Sequence, residues 1–134
     1  MATPFHVTVL TPERTIFEGE AIHLLAPGSE GYLGVLAHHA PLLTSLRPGL
    51  LEIGSSGAER RRYFVRGGFA EVGPSGLTVL AKTAIDLTEL EADMLNLAIK
   101  DAEEDIADAK DEGTRDRART QLDHLHQVQA TLNL

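Results

Sequence analysis

Residues 28–49 read GSEGYLGVLAHHAPLLTSLRPG, and this stretch guides the interpretation of the whole chain. Gly28, Gly31 and Gly34 permit turns or a close approach of two backbones. The apolar segment 33–36 predicts a short strand, and residues 39–41 predict a turn because a residue before proline avoids the helical region. A stretch so rich in turns and apolar residues needs a surface to pack against.

After this turn the chain is expected to return to the interior. Leu42, Leu43 and Leu46 are predicted to be core residues, and Pro48–Gly49 is predicted to form a second turn. The sequence therefore places two turns and a short buried segment within 22 residues.

Alternating apolar and polar residues predict further strands on both sides of this stretch. These strands are expected at residues 5–9, 15–19, 21–25, 50–53, 60–65, 69–72 and 77–81. Gly54–Gly57 and Gly73–Gly76 are predicted turns, and Gly67–Gly68 predicts a bulge or a close approach of backbones. The basic run Arg60–Arg62 is read as a patch for an acidic partner or, preferably, as a solvated end that blunts a sheet edge. Many short strands predict a β-sandwich or a barrel.

The pattern changes to a helical period at Ile85. Thr88 and Glu91 have the spacing of a capping box at a helix start, and Gly113 and Thr114 are predicted to end one helix and to cap the next. The apolar stripes are expected at Leu90, Met94, Leu97, Ala98, Asp101, Ala102, Ile106 and Ala109, then at Ala118, Leu122, Leu125, Val128 and Leu132. We predict an α+β fold, an N-terminal β-sandwich (1–84) followed by a C-terminal antiparallel two-helix hairpin (85–134).

Charge supports this division of the chain. Residues 1–84 carry 7 acidic and 7 basic residues, whereas residues 85–134 carry 13 acidic and 5 basic residues, so the formal net charge of −8 lies in the last third. A basic surface for nucleic acid is absent from this composition, which argues against general nucleic-acid binding. The N-terminus predicts no signal peptide, and no apolar run reaches the length of a membrane span.

A search for catalytic residues is nearly empty. The chain has no cysteine, no G-x-S-x-G elbow and no glycine-rich phosphate loop. His38 and His39 are adjacent in an extended segment and point in opposite directions, so joint metal ligation is not expected. His124, His126 and the acidic residues around Glu103 are read as solvated helix surface, and no metal site is predicted.

Two hypotheses of different classes compete at this point. In the first, the chain is an interaction subunit with a rigid β-domain and a helical hairpin. In the second, it is either a free-standing β-sandwich that binds a small ligand, or an enzyme whose active site has an unusual composition. The apolar, turn-rich central stretch without catalytic side chains favours the interaction subunit.

The central stretch, GSEGxLGVLxxHAPLLTxLxPG in residues 28–49, closely resembles that of the epsilon subunit of F-type ATP synthases. The segments VxGGFAEV (65–72), LTVLA (77–81) and VLTPER (9–14) resemble the same family. The resemblance covers essentially the whole chain and implies the same fold, a β-sandwich followed by two helices.

The resemblance implies a noncatalytic rotor subunit at the foot of the central stalk, on the cytoplasmic face of the energy-coupling membrane. Its partners would be the gamma subunit and the c-ring, while proton or sodium flow drives ATP synthesis elsewhere in the complex. Carried over by position, the contacts with these partners are Glu30, Gly31, Tyr32, His39, Ala40 and Pro41. Tyr32 stands where relatives often have an acidic or polar residue.

Some bacterial relatives bind ATP on the hairpin through an Ile/Leu-Asp-x-x-Arg-Ala motif. Ile85 and Asp86 match this motif, but Glu89 replaces its arginine and Leu90 its alanine. Replacing a cation that pairs with phosphate by an anion weakens nucleotide binding, so no cofactor is expected. If ATP did bind, Arg115 and Arg119 would be the remaining cations to pair with it.

In bacterial relatives the hairpin can extend into the catalytic head, towards the alpha and beta subunits, and block ATP hydrolysis. Residues 89–112 hold 10 acidic residues but only Lys100 and Lys110 as basic ones. Because such contacts commonly set basic residues against acidic loops, the available contacts here would be Arg115, Arg117 and Arg119. The charge pattern therefore predicts weak inhibition.

Overall fold

The computed structural model describes residues 3–55 and 60–134. The chain divides into two compact units, Met1–Leu87 and Thr88–Leu134. The division lies three residues after the composition shift at Ala84, because the last strand continues to Asp86. The hairpin turn predicted at Gly54–Gly57 lies largely outside the described residues.

Within those described ranges the first unit is a sandwich of eight strands. Their bounds are β1 Phe5–Leu10, β2 Thr15–Ala21, β3 His23–Gly28, β4 Gly31–Val35, β5 Leu42–Ser45, β6 Gly49–Gly54, β7 Arg60–Gly73 and β8 Gly76–Asp86. The hydrogen-bonded order is β2-β1-β8-β7-β6-β3-β4, and β5 pairs with β7. β1 and β8 run parallel, whereas the other pairs are antiparallel. The predicted α+β fold, a β-sandwich followed by helices, is confirmed.

The core of the sandwich follows from the alternation along each strand. Every second residue of β1, for example, points inward, so Val7 and Val9 are fully buried while Thr8 is not. The other fully buried large side chains of this unit come from five strands and include Leu24, Val35, Leu51, Ile53, Val65, Leu77 and Val79. Burying each such side chain contributes about 1.5–3 kcal/mol, so this alternation stabilises the fold.

β7 connects the two halves of the sandwich. Its residues 60–65 pair with β6, and its residues 69–72 pair with β5. Gly67 and Gly68 lie at this change of partner with φ of +73° and +100°, and a Cβ on Gly68 would collide with the carbonyl oxygen of Leu80. The predicted close approach of backbones is confirmed, although the chain here is one continuous strand and not two.

The expectation that Arg60–Arg62 blunt a sheet edge is wrong. Arg62 pairs with Glu52 of β6, and its carbonyl accepts the N–H of Leu87 on the other side, so this end of β7 is interior. Their side chains are nonetheless exposed. Arg60 forms an ion pair with Glu52 at 2.8 Å, and the guanidinium of Arg61 lies 5.8 Å from the ring centroid of Phe17.

The second unit is an antiparallel helical hairpin of α1 (Ala92–Asp108) and α2 (Glu112–Leu132). Gln129 near the end of α2 donates to Asn96 near the start of α1 at 3.4 Å, as antiparallel helices require. In the described part of the chain, neither helix is sufficiently long and apolar to cross a membrane.

The predicted helix ends are wrong at both boundaries. α1 begins after Glu91, which makes no side-chain cap, because residues 87–89 form a turn before the helix. α2 is capped by Asp111, whose carboxylate accepts the Thr114 N–H at 2.7 Å. Thr114 and Gly113 therefore lie inside the first turn of α2 and do not separate the helices.

The predicted buried stripe of α1 is confirmed at Ala98 and Ala102 but is wrong at Met94 and Leu97. Leu95, Ala98 and Ala102 are buried, while Met94 and Leu97 are exposed. In α2 the buried residues Ala118, Leu125 and Val128 belong to the predicted stripe, which is confirmed at these positions.

Candidate docking surface of the sandwich

The turn between β3 and β4 presents the first predicted group of contact residues. Gly28 pairs with Gly31, which adopts a φ of +134°, so Ser29 and Glu30 project at the end of the hairpin. A Cβ on Gly28 would lie 2.9 Å from the carbonyl oxygen of Gly31, closer than side chains tolerate. The turn is thus narrow, and Glu30 is exposed at its tip.

Tyr32 braces this turn against the segment that leads into β6. Its hydroxyl oxygen accepts the N–H of Leu50 at 3.0 Å, and the guanidinium of Arg47 lies 5.3 Å from its ring centroid. A Cβ on Gly49 would approach the Tyr32 hydroxyl to 2.9 Å and the Pro27 Cβ to 2.6 Å, so glycine is needed there. The half-exposed tyrosine ring is therefore held in a fixed orientation, which makes the turn a rigid contact surface.

The second predicted group follows a tight turn at residues 36–39. The His39 N–H donates to the carbonyl of Leu36 at 3.2 Å, and His38 between them adopts a φ of +65°. This left-handed conformation costs a residue with a side chain about 1–2 kcal/mol. His39 Nδ1 lies 2.6 Å from the carbonyl oxygen of Ala40, and this hydrogen bond fixes the orientation of the imidazole.

The two groups are rigid but separate. The Ser29 N–H next to Glu30 donates to the carbonyl of Ser45 at the end of β5, whereas Pro41 precedes Leu42 at its start. At about 3.3 Å per residue, the length of β5 places the groups roughly 10 Å apart. The structure therefore does not bring the six predicted residues into one cluster.

Exposed apolar side chains lie beside these turns, and sequence analysis missed them. Leu36 is 63% exposed, Leu43 is 65% exposed and Phe69 is 47% exposed. The expectation that Leu42 and Leu43 return to the core is wrong, whereas Leu46 is buried as predicted. β5 pairs with β7 so that Leu43 faces outward opposite Glu71, and Ser45 lies opposite Phe69. For Phe69 the sequence did carry a signal, because Phe69 shares a period of two with the polar Glu71 while Ala70 and Val72 occupy the other face of β7.

The residues predicted for nucleotide binding belong to different units. Ile85 and Asp86 end β8, where they pair with Phe64 and Tyr63 and precede the helices. Arg115 and Arg119 lie on α2, so the structure shows these residues within two separate units.

The basic residues of α2 are bonded to groups close to them in sequence. Arg115 forms an ion pair with Glu112 at 2.6 Å and donates to the Ala109 carbonyl at 3.0 Å. Arg119 pairs with Asp116 at 3.3 Å, and Arg117 donates to the Thr114 hydroxyl at 3.2 Å. These contacts keep the three guanidinium groups near the start of α2.

Asp111 has a pKa that its hydrogen-bond partners shift, although its carboxylate is exposed to solvent. The Thr114 backbone N–H and then its hydroxyl donate to the carboxylate, and both bonds lower the pKa of Asp111 below its ordinary value of 3.8. Arg117 and Arg115 lower it further by their charge. Among the described residues, no three histidine or acidic side chains are arranged to hold a metal ion.

Comparison with known proteins identifies the class of the molecule first. Residues 4–87 match the family model of the ATP synthase delta/epsilon chain, beta-sandwich domain. A chain in the mitochondrial ATP synthase of Euglena gracilis, solved as an OSCP/F1/c-ring assembly, superposes with a TM-score of 0.75 at 25% identity, covering 98% of this chain and 83% of that one. The fold is thus that of a noncatalytic ATP synthase subunit.

Full-length relatives then specify the family. The ATP synthase epsilon chain of Parvibaculum lavamentivorans is 46% identical over 98% of this chain and 100% of its own length. That of Maricaulis maris is 40% identical over 97% of both chains. The chain belongs to the ATP synthase epsilon chain family. A chain from the Tetrahymena thermophila central stalk and c-ring, at 17% identity and a TM-score of 0.67 over 94% of this chain, shares the fold.

Proposed function

We propose that this chain is a rotor subunit at the foot of the central stalk, on the cytoplasmic face of the energy-coupling membrane. It binds the gamma subunit and the c-ring, and it couples ion-driven rotation of the ring to ATP synthesis without catalysing a reaction. In this proposal the sandwich is the docking domain, and the hairpin is the regulatory domain.

The observation that carries the proposal is the exposed apolar surface next to two rigid turns. Leu36, Leu43 and Phe69 are each about half exposed or more, and Leu42 beside Leu43 is 38% exposed. Apolar groups of this size contribute about 1.5–3 kcal/mol each when they are fully removed from water. A partner subunit that covers this surface would gain that free energy, whereas a free-standing protein would not.

The separation of the two turns suggests that they contact different partners. The surface around His39 is broad and apolar, with Leu36 and Leu43 beside it, and it suits a large folded subunit such as gamma. The turn at Glu30 is narrow and polar, and it suits the short loops of the c-ring. We assign His39, Ala40 and Pro41 to gamma, and Glu30, Gly31 and Tyr32 to the c-ring.

Replacing His39 by Glu tests the docking surface. The substitution places a charge in the apolar interface and removes the imidazole that bonds to Ala40, so binding to the F1 sector lacking this subunit should weaken at least tenfold. The matched control is His126→Glu, at an exposed histidine of α2. Both variants should keep the circular dichroism of the folded chain. Equal, unchanged binding by both variants would refute the docking surface.

A second substitution separates the two partners. Glu30→Lys should impair coupling in membranes that contain the c-ring, but it should leave binding to the soluble F1 sector unchanged. Loss of F1 binding in this variant would show that the turn at Glu30 contacts gamma instead.

We also propose that the hairpin takes no nucleotide. Glu89 carries a negative charge where ATP-binding relatives have a cation, and Arg115 and Arg119 already pair with Glu112 and Asp116. Calorimetric titration with magnesium-ATP should give no binding heat in the micromolar range. A micromolar dissociation constant would contradict the proposal and would direct attention to these two arginines.

A further inference from the structure

A row of apolar side chains crosses the outer face of the sheet next to the docking surface. The pairing register sets one residue from each of three neighbouring strands side by side: Phe69 of β7, Leu80 of β8 and Leu10 of β1. The residues on either side of Leu80, Val79 and Ala81, are buried in the core, so the row points away from the core. Phe69 is 47% exposed, and Leu80 and Leu10 are partly exposed. The apolar surface therefore continues from Phe69 across β8 to β1.

Glu71 stands in the adjoining row of the same face. It lies directly opposite Leu43 of β5 and Thr78 of β8, and it follows Phe69 by two residues. The residues that alternate with it along β7 are buried on the core side. Directly opposite residues have Cβ atoms about 5 Å apart, so the side chains of Glu71 and Leu43 are neighbours. Glu71 is thus an exposed carboxylate set among the apolar side chains of the docking surface.

Glu71 has no basic partner in the part of the chain that the structure describes. The ion pairs found there join other groups, and Glu71 takes part in none of them. Lys82 shares the outer face of β8 but lies four residues beyond Thr78, roughly 13 Å away at about 3.3 Å per residue. Exposed charges separated by more than about 8 Å are largely screened at physiological ionic strength. The negative charge of Glu71 is therefore not balanced within the described residues of the sandwich.

A partner that covers this surface would remove the Glu71 carboxylate from water. Burying an ionised carboxylate is costly unless a cation or several hydrogen-bond donors replace the water. A partner surface that is apolar throughout would lose, at Glu71, much of what it gains by covering Leu43 and Phe69. Arginine and lysine avoid this loss, because they carry a positive end on an apolar stem that can lie against Leu43 or the ring of Phe69.

We propose that the gamma subunit presents an arginine or lysine side chain to Glu71 when it covers this face. The inference rests on the proposed function, because Leu43 and Phe69 belong to the docking surface. An apolar surface alone specifies no single position for its partner, whereas an ion pair within it does. Glu71 thus determines how the sandwich is oriented on gamma.

The test titrates variants of the full chain against the F1 sector that contains gamma and lacks this subunit. Glu71→Gln keeps the size of the side chain but removes its charge, so the partner cation stays unpaired in the covered interface. The dissociation constant should rise at least about tenfold, mainly through faster dissociation. Glu103→Gln is the matched control, since it makes the same charge change at an exposed position of α1, and it should bind like the unchanged chain. Both variants should keep the circular dichroism of the folded chain.

The salt dependence separates a direct contact from long-range attraction. A covered ion pair is screened much less than exposed charges are, so the loss caused by Glu71→Gln should persist at high salt. A loss that disappears at high salt would overturn the inference, because Glu71 would then act at a distance. Glu71→Lys should weaken binding more than Glu71→Gln, and equal or tighter binding by the lysine variant would also overturn it.

Comparison with His39→Glu separates this inference from the proposed function. If Glu71→Gln binds equally well or more tightly while His39→Glu loses binding, the carboxylate meets no cation and the docking surface stands. If Glu71→Gln and His39→Glu both bind normally, the docking surface itself is refuted.

Discussion

Gly68 occupies a position in β7 where the backbone leaves room for a hydrogen atom and nothing larger. Its φ is +100°, and a Cβ there would collide with the Leu80 carbonyl of β8. Gly68→Ala should therefore destabilise the sandwich by more than about 2 kcal/mol, through left-handed strain and displacement of β8. Urea unfolding of the full chain measures the loss.

Gly73→Ala is the matched control for this substitution. Gly73 belongs to the same strand, but a Cβ there meets no atom within 4 Å, and its φ is not positive. The urea midpoint of the Gly73→Ala variant should stay close to that of the unchanged chain. Equal losses at both glycines would show that the Leu80 contact is not the cause.

Asp111 should show its capping role in its own titration. Because the Thr114 N–H and hydroxyl both stabilise the carboxylate, its carboxyl resonance should titrate with a midpoint below 3.8. The lowered pKa means that this cap stabilises α2 fully above about pH 3.8, and that the stabilisation is lost as the pH falls through the lower folded value.

Thr114→Ala separates the two bonds to Asp111. It removes the hydroxyl donor but keeps the backbone N–H, so the midpoint should move part of the way back towards 3.8. An unchanged midpoint would show that the hydroxyl bond contributes nothing, and a midpoint above 3.8 in the unchanged chain would contradict the cap altogether.

For single residues, the sequence predicts which positions have an unusual backbone conformation more readily than it predicts which groups their side chains contact. Gly67–Gly68 could be recognised because glycine pairs in strands have few other uses. The brace between Tyr32 and Leu50 could not be recognised, because it joins residues 18 positions apart through a hydroxyl group that no local pattern specifies. The cap at Asp111 was missed because Thr114 is itself a good capping residue and lies three positions further on.

Among the elements, α1 carries two apolar stripes of similar spacing, and one of them is buried. Leu95, Ala98 and Ala102 are buried, whereas Leu97 is 60% exposed. Leu95→Ala should destabilise the helical hairpin by about 2–5 kcal/mol, because it leaves a cavity among packed side chains. The helical signal in urea unfolding reports this change.

Leu97→Ala is the same substitution two residues away, on the exposed face of the same helix. It should change the stability of the hairpin by no more than about 0.5 kcal/mol. A larger effect at Leu97 than at Leu95 would mean that the other stripe is the buried one.

The elements differ in how far the sequence could predict them. Strands were predictable because a period of two assigns each residue to one face, as at Val7 and Val9. The buried face of α1 was predicted at Ala98 and Ala102, but its large side chain is Leu95 and not Met94. Neighbouring helix positions differ by a rotation of about 100°, and both of these positions carry an apolar residue. The exposure of Leu43 was not predictable either, since it depends on β5 pairing with the outer part of β7.

Across the whole molecule, charge is divided between the two units. The segment 1–84 is neutral, and the formal charge of −8 lies in residues 85–134. The helices therefore carry an acidic surface in which Arg115 and Arg119 pair with neighbouring acids of α2. A contact between these arginines and an acidic partner would have to replace those local ion pairs, which weakens the net attraction.

Truncation of the hairpin tests the prediction of weak inhibition in the assembled enzyme. The deletion should begin after Leu87, because residues 85 and 86 belong to β8 and pair with Phe64 and Tyr63 of β7. We predict that ATP hydrolysis by the purified complex rises less than about twofold on truncation, since the ten acidic residues of segment 89–112 would be repelled by an acidic partner surface. Any inhibition that exists should be carried by the arginines at the start of α2, Arg115, Arg117 and Arg119.

The triple replacement of Arg115, Arg117 and Arg119 by alanine is the companion measurement. A large rise in hydrolysis on truncation that the alanine variant reproduces would identify the contact residues correctly but would contradict weak inhibition. A large rise that the alanine variant does not reproduce would contradict both the weak inhibition and the assignment of the contact to these arginines. Another surface of the hairpin would then bind the catalytic head. High salt provides a further control: if the inhibitory contact is made by exposed arginines, salt should relieve it in the unchanged complex and have no such effect after truncation.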